Sequence, residues 1–502
     1  MSNNGGARIA KNTVFLYCRM LLSMIVTLYT SRVILNALGA VDYGIYNLVT
    51  GFVVSFGFLN SAMHASVQRF LTIELKNDNY DRLNKIFSMG VIIHFILALV
   101  IVFLVELVGI YFLETKINVP SDRLSASVWI FHFSVVTLFF SIVNVPYKAL
   151  IIAHEDMGIY AAISLLEVFT KLFIAFIITQ VFFDKLIFYG FLLMLVAIII
   201  QVFYRAYCRR KYKEGHFVRF WDRTIFNEMS SFAGWNLIGV FAGISYNQGV
   251  NVLLNIFGSP VVNAARAISF QVSGAANQLV TNFQLAVNPP IMKAYATNDE
   301  SLSRLVISSS KLSFILLMFI VVPFIFETQT ILKLWLVKIP EYTISFARLA
   351  MIDILVCSLA GPLHILVQAT GEVKKYQVVI SGILLLNLPI SYVLLHFGAN
   401  YASTFIVSII LSTIALITRF YLLRKSIAIS FRSFIKQFLA PISFVALVTV
   451  LICLLIQNIL IYEMLRLLLT CCISWISIIL LSWFFVLDKQ EKRLILTIIK
   501  RK

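Results

Sequence analysis

A chain of 502 residues, 60% hydrophobic and only 13% charged, falls well short of the roughly 25% charge of soluble globular domains, so an ordinary aqueous domain is excluded and the apolar excess has to face lipid. The net charge of +18 would point a soluble protein toward nucleic acid, but the basic residues lie between hydrophobic runs, where they read as membrane topology. Cys18, Cys208, Cys357, Cys453, Cys471 and Cys472 form no CxxC pair and no metal-ligand spacing, so neither a disulfide framework nor a zinc site is implied.

Taken in order, the leader MSNNGGARIAKN is short and basic, lacks a small-x-small cleavage site, and reads as retained. Fourteen apolar segments follow, at 13–36, 45–66, 86–112, 127–152, 159–181, 186–206, 231–256, 262–288, 305–326, 343–368, 376–396, 401–422, 438–460 and 465–486. At 1.5 Å per residue each is long enough to cross a bilayer core of about 30 Å. The expected fold is all-α and polytopic. The first two segments are separated by a tight turn containing Gly39, and the eighth is polar enough for a hydropathy window to miss it.

The charges support this map. With a cytoplasmic N-terminus, most of the 41 lysines and arginines fall in the inside segments, including the run from Arg205 to Arg223 and the tail from Lys489 to Lys502. Few fall in the outside turns, among them Lys116, Arg123, Lys185, Lys333, Lys338 and Arg466. This is the positive-inside pattern, and it puts both termini in the cytoplasm.

The chain also repeats. PYKALIIAHEDMGIY (Pro146 to Tyr160) aligns with PLHILVQATGEVKKY (Pro362 to Tyr376), pairing Pro146 with Pro362, Leu150 with Leu366, Ala153 with Ala369 and Tyr160 with Tyr376. Leu35-Asn36-x-x-Gly39 matches Leu254-Asn255-x-x-Gly258 at nearly the same offset. Six segments per repeat is an even number, so the two lobes are parallel, an arrangement some transporters use to rock about a central site. The implied domains are a six-helix lobe at 1–206, a basic cytoplasmic linker at 207–230, a second six-helix lobe at 231–422, and two further helices with a basic tail at 423–502. The linker reads as a solvated inside loop near anionic lipid.

Polar residues form faces inside the apolar segments. The first segment carries Arg19, Ser23, Thr27 and Thr30 at helical spacing. The eighth carries Asn263, Arg266, Ser269, Ser273, Asn277, Thr281, Gln284 and Asn288 at steps of three and four, and the seventh adds Asn247, Asn251 and Asn255. A charge at the bilayer centre costs about 2.5–3.5 kcal/mol on insertion scales, so Arg19 and Arg266 point into a hydrated cavity between lobes. Interhelical hydrogen bonding would account for one or two of the asparagines, and snorkelling toward headgroups is the alternative for Arg19. Guanidinium groups in such a cavity suit phosphoryl oxygens, and nearby amides suit sugar hydroxyls. Glu167 and Lys171 read as an internal pair, while Arg348 and Asp353 lie off one another's face and their roles stay open.

The opening RIAKNTVFLYCRMLLSMIVTLYTSRVILNALGAVDYGIYNLVTGFV (Arg8 to Val53) resembles bacterial polysaccharide biosynthesis flippases, the O-antigen and capsule repeat-unit translocases. Their superfamily includes the lipid II flippases and the multidrug and toxin extruders. Arg19, Leu38-Gly39 and Tyr43-Gly44-Ile45-Tyr46 carry the resemblance, which is densest over the first 90 residues or so. It implies a bacterial inner-membrane protein that moves a polyprenyl-pyrophosphate-linked oligosaccharide from the cytoplasmic to the outer leaflet. Such proteins work beside a polysaccharide polymerase and glycosyltransferases. It implies no cofactor and no metal, with Na+ or H+ as the coupling ion in several relatives. It also marks Arg19 and Arg266 as substrate-binding candidates, with Arg32 as an addition, and Asp42 as a gating or coupling candidate. Asn247, Asn251, Asn277 and Gln284 complete the candidate binding set by their place on the polar faces.

Two other classes stand beside this reading. A cation-coupled multidrug antiporter of the prokaryotic type commonly has an aspartate in its first helix, and the first segment here has none. A membrane glycosyltransferase or polysaccharide polymerase would resemble its kind in having a sizeable outside loop with catalytic residues, whereas 114–126 and 327–341 are short and hold no DxD or acid-base set. No P-loop, HExxH or serine elbow is present. The topology is tested by cysteine labelling from outside. Substitutions near Asn118 and Lys338 are expected to react and those near Lys213 or Arg432 to stay protected; outside labelling at Lys213 would overturn the map.

Overall fold

An unpaired backbone amide in hydrocarbon costs several kcal/mol, so a lipid-embedded chain of this composition is driven into helices. The computed structural model describes residues 3–57, 67, 70–71, 74–75, 80–115, 117–154, 156–224, 226–227, 248–296, 302–370, 373–427, 435–459, 462–488 and 491–492, with the side chains of the first helix placed from Met20 onward. No strand occurs among the described residues.

The helices are α1 (Asn3–Ser55), α2 (Tyr80–Thr115), α3 (Leu124–Val143), α4 (Val145–Ala153), α5 (Met157–Thr179), α6 (Lys185–Lys211), α7 (Val250–Phe257) and α8 (Pro260–Ala296). They continue with α9 (Leu302–Phe326), α10 (Thr328–Trp335), α11 (Thr343–Ser358), α12 (Gly361–Thr370), α13 (Val373–Leu385), α14 (Asn387–His396), α15 (Ser403–Ile427), α16 (Ala440–Ile459) and α17 (Glu463–Leu481). Among the described residues ten helical stretches are long and apolar enough to span a membrane, or eleven when α11 and α12, bent by 41°, are taken as one. The protein is therefore a multi-pass membrane protein.

The difference from fourteen expected segments has physical causes. The first two run together as α1 across a break at Gly39. The eighth forms α8 but is too polar to qualify, and most of the seventh lies outside the described residues. On α2 the exposed side chains include Phe103, Leu107 and Tyr111, an apolar surface that lipid accounts for and water does not.

The chain divides into two compact units, Met1–Ala264 and Ala265–Lys502. In the first, α1 packs on α5, and α3 packs on α2 and α6. Ile45, Val49 and Val53 recur every fourth residue on α1 and meet Ile101 and Val105 of α2 and Phe131 and Val135 of α3. The second unit has its main core around Met318 of α9, Leu366 of α12, Phe420 of α15 and Ile478 of α17. There α9 also holds the C-terminal helices: Arg466 pairs with the fully buried Glu327 at 2.8 Å, and Trp475 Nε1 donates to Phe319 O at 2.7 Å.

Helix breaks fall where backbone chemistry puts them. Pro146 sits in the first turn of α4, just past Asn144, which separates α4 from α3, and Pro362 is the second residue of α12. The two prolines aligned by sequence thus open the second half of a broken helix, one in each unit; a proline lacks the N–H that a continuous helix needs and is tolerated in a first turn. Gly258 likewise caps α7 where Gly39 breaks α1.

The start of the basic linker is not a free loop. Asn84 Nδ2 donates to Glu214 O at 3.1 Å and His216 O at 2.9 Å, Val218 N–H donates to Ser88 Oγ at 3.0 Å, and His154 pairs with Glu214. His154 also stacks on Tyr212 with ring centres 4.1 Å apart.

Two glycines are required where they stand. Gly39 has φ 78° and ψ 170°, a region that is essentially glycine's alone. Gly44 lies so close to α8 that a Cβ would come within 1.8 Å of Pro260 O. By contrast, a Cβ at Gly274 meets nothing within 4 Å in an ordinary helix. Thermal unfolding in detergent is expected to show Gly39→Ala destabilised by about 1–3 kcal/mol, while Gly274→Ala is stabilised by about 0.5–1 kcal/mol. Equal melting of the two variants would remove the backbone argument.

Candidate functional site

The first polar cluster forms where α1 turns. Asp42 follows the break at Gly39, Arg123 ends the short 3-10 turn Ser121–Arg123 before α3, and Asp184 caps α6 by accepting the Ile187 N–H at 3.0 Å. Arg123 Nε donates to Asp42 Oδ1 at 2.7 Å and Nη2 donates to the second oxygen, while Nη1 donates to Asp184 Oδ2 at 2.7 Å. One planar guanidinium fork therefore ties α1, α3 and α6 together. Burial works against the Asp184 charge, but the Arg123 hydrogen bond and the α6 backbone N–H outweigh it and hold that carboxyl below its ordinary range.

A second cluster is built of amides. The Asn118 N–H donates to Asn255 Oδ1 at 2.8 Å, and Asn118 Nδ2 donates to Gly258 O at 2.8 Å. Asn255 Nδ2 donates to Asn263 Oδ1 at 3.1 Å, and Asn263 Nδ2 donates to Asn251 O and Oδ1 at 2.8 and 2.9 Å. Each amide satisfies another, which is how buried polar groups are tolerated in lipid. These bonds fasten α7 and the start of α8 to the connection between α2 and α3, close to the Gly44 contact with Pro260.

Within the second unit α8 continues as the polar stripe. Arg266 is 6% exposed, and its guanidinium carbon lies 4.4 Å from the centre of the Phe270 ring and 5.3 Å from that of Phe405. Aromatic faces stabilise a desolvated cation by about 2 kcal/mol without neutralising it. Farther along, Asn277 and Thr281 are exposed. Gln284 Nε2 donates to Ser313 Oγ at 3.2 Å and Ser358 O at 3.0 Å, joining α8 to α9 and α11.

The structure therefore separates the candidate residues by environment. Asn251 and Gln284 are engaged with other polar groups of the helix bundle, Asn277 is exposed, and Arg266 sits between phenyl rings. Arg32 is half-buried on α1. Arg19 and Asn247 lie outside the residues whose side chains are described. Lys171 pairs with Glu167 at 2.6 Å, as their spacing predicts. Arg348 Nε donates to Thr328 Oγ1 at 3.2 Å, and Asp353 accepts from Ser412 Oγ at 2.8 Å and Ser408 Oγ at 3.4 Å. Among the described residues no group of three His, Cys, Asp or Glu side chains is placed to hold a metal.

The sequence marks Arg123 only as an outside charge and Asn118 only as a position in an outside turn, and it does not single out Asp184. Their partners lie far away in the chain, so no local pattern marks them. Asp184 alone carried a signal, as an acidic residue just ahead of a helix.

Comparison with solved structures places the fold. The chain resembles a multidrug resistance MATE family transporter of the MOP superfamily in its inward-facing conformation, with TM-score 0.71 and 13% identity over 83% of this chain and 98% of that one. It resembles the lipid II flippase MurJ in an inward closed conformation with TM-score 0.71 and 11% identity, over 95% of this chain and 98% of that one. The outward-facing MATE transporter aligns with TM-score 0.60 at 13% identity, over 83% of this chain and 96% of that one. No protein-family model and no curated protein matches. The fold is that of these membrane transporters.

Removing Arg123 alone leaves two part-buried carboxylates together, which costs more than removing all three groups. Arg123→Gln is expected to destabilise the protein by about 2 kcal/mol at neutral pH, and more than the triple variant Asp42→Asn, Arg123→Gln, Asp184→Asn. Because the folded Asp184 is held below its ordinary value of 3.8, its contribution is complete above that value and fades as pH falls through the lower folded one. Detergent melting curves against pH measure both; a triple variant weaker than Arg123→Gln would reject the clamp.

Proposed function

We propose that the protein flips a polyprenyl-pyrophosphate-linked oligosaccharide from the cytoplasmic to the outer leaflet of a bacterial inner membrane, for cell-surface polysaccharide synthesis, by alternating access. The observation that carries this reading is the buried Arg266 on a polar helix. Its charge is permanent, and a guanidinium on the polar face of a helix offers a fork of donors that suits the phosphoryl oxygens of an anionic headgroup. The similarity to the lipid II flippase spans 95% of this chain against 83% for the MATE transporter, which supports the same reading.

In this mechanism two six-helix lobes, 1–206 and 231–422, rock about a cavity that opens to the cytoplasm, with both termini on that side. The linker 207–230 joins the lobes, and 423–502 adds two helices and a basic tail. Arg266 and Arg19, with Arg32 in support, engage the pyrophosphate. Asn277 and Asn247 meet the saccharide, while Asn251 and Gln284 hold the helices that present them. The prenyl tail stays in lipid. Asp42 acts at the gate: it is held by Arg123 of the α2–α3 connection, and opening to the outside has to part α7 and α8 from that connection, breaking the Asn118 hydrogen bonds to Asn255 and Gly258. An ion gradient, Na+ or H+, drives the cycle.

Multidrug antiport is the second reading, favoured by the equal TM-score of the MATE transporter. It leaves the arginines without a role, since a cationic drug would be repelled by them.

The test is transport of labelled lipid-linked oligosaccharide in proteoliposomes, normalised to inserted protein. Arg266→Gln and Arg19→Gln are each expected to slow flipping by about 30-fold or more, the loss of about 2 kcal/mol from a desolvated charge contact. Arg266→Lys is expected to keep part of the rate, because a point charge does not reproduce the bidentate fork. Glu167→Gln with Lys171→Gln is expected to change protein level more than transport per molecule. Wild-type rates from both glutamine variants would sink the pyrophosphate contact, and drug efflux without glycolipid flipping would select the antiporter.

A further inference from the structure

Within the first unit a cavity of about 390 Å³ lies between α1, α3 and α6. Its hydroxyl-bearing walls are one face of α1, with Tyr46 and Thr50, and one face of α3, with Ser134, Thr137 and Ser141. None of its lining residues is Asp, Glu, Lys, Arg or His. The size falls in the lower part of the range for small-molecule sites, about 300–1,000 Å³, which suits a single ring better than a chain and far exceeds one dehydrated ion.

Hydrogen-bond direction narrows the chemistry. Thr50 Oγ1 donates to Tyr46 O at 2.6 Å, Ser134 Oγ to Ile130 O at 2.6 Å, and Thr137 Oγ1 to Phe133 O at 2.8 Å. Each of these protons is directed back into its own helix, while each oxygen retains acceptor lone pairs. These three oxygens therefore suit a ligand that brings hydrogen-bond donors, while the Tyr46 and Ser141 hydroxyls of the lining can donate as well as accept. A fitting ligand must also be uncharged, because a charge desolvated without a counter-charge is costly. A pyrophosphate finds no cation in the lining, and a cationic drug finds no carboxylate. Leu138 and Leu193 add apolar wall. A neutral pyranose meets every condition, with hydroxyl donors around its rim and C–H groups on its faces.

We infer that this cavity is a subsite for one uncharged sugar ring of the transported glycan, separate from the arginines assigned to the pyrophosphate. The source of the sugar rests on the proposed function; the ligand chemistry rests on the cavity alone.

Saturation-transfer-difference NMR tests it on the full protein in lipid nanodiscs free of glycoside detergent, with methyl β-D-glucopyranoside, methyl β-D-galactopyranoside and methyl N-acetyl-β-D-glucosaminide as probes. At least one probe is expected to show ring-proton saturation above empty nanodiscs. The signal is expected to fall at least fivefold in the variant carrying Thr50→Val, Ser134→Ala and Thr137→Val. Those three hydrogen bonds join no second helix, so the variant is expected to fold, and Thr137→Ser, which keeps an acceptor, is expected to retain the signal. No saturation with any probe, or equal signals from wild type and the triple variant, overturns the subsite. Polyprenyl-pyrophosphate-linked oligosaccharide is expected to displace the bound probe; a probe signal that persists assigns the cavity to a free sugar and overturns the link to the glycan. Flipping in proteoliposomes is read separately: a wild-type protein that binds the probes but moves no glycolipid fails the proposed function, while its cavity still stands.

Discussion

Every backbone amide that meets lipid has to be paired inside its own segment, and the architecture follows from that constraint. Helices can be interrupted only where the freed groups find partners or where no donor exists to lose. The break between α3 and α4 is of this kind: the Asn144 N–H bonds back to Phe140 O at 3.1 Å, and Pro146, with no N–H, falls in the first turn that follows. The bend between α11 and α12 is built alike, with the Ala360 N–H on Cys357 O at 3.0 Å and Pro362 next in line. In both units a long helix is thus divided with the amide just before the proline turn still paired.

Polar side chains obey the same constraint and are distributed accordingly. Asn251, Asn255 and Asn263 satisfy one another, Gln284 bonds to α9 and α11, and Arg123 places its donors on Asp42 and Asp184. Glu327 is fully buried with Arg466 and Thr330 against its carboxylate. These contacts fix helix against helix, and interhelical hydrogen bonds of this type contribute modestly, about 0.6 kcal/mol on average. Arg266, set against phenyl rings, and the exposed Asn277 differ from them. That contrast divides the α8 stripe into parts that periodicity alone treats as equivalent.

The hydroxyl-lined cavity of the first unit bears on how one membrane protein would handle a composite headgroup. Charged and uncharged parts of a lipid-linked glycan place opposite demands on a site: permanent cations for the pyrophosphate, neutral hydrogen-bonding walls for sugar. Putting Thr50, Ser134 and Thr137 on helix faces that bring no Asp, Glu, Lys, Arg or His to the cavity keeps the second environment from being dominated by the first.

What the sequence by itself determined is the membrane class, most of the helical segments, the break at Gly39 and the aligned prolines and glycines. These depend on composition, hydrophobic period and the backbone chemistry of Pro and Gly, all of which are local. The Glu167–Lys171 pair was legible for the same reason, since helical spacing alone brings the two groups within reach. Tertiary structure decided the rest. The α8 face reads as one stripe in sequence, yet packing gives Asn263, Arg266, Asn277 and Gln284 four different surroundings. Asp42 was marked by the resemblance of the opening stretch, but its partners Arg123 and Asp184 lie outside α1, and a contact between residues far apart in the chain leaves no periodic trace. The cavity was hidden for a further reason: its hydroxyls occupy ordinary helical spacings, and only the convergence of α1, α3 and α6 turns three separate faces into one space.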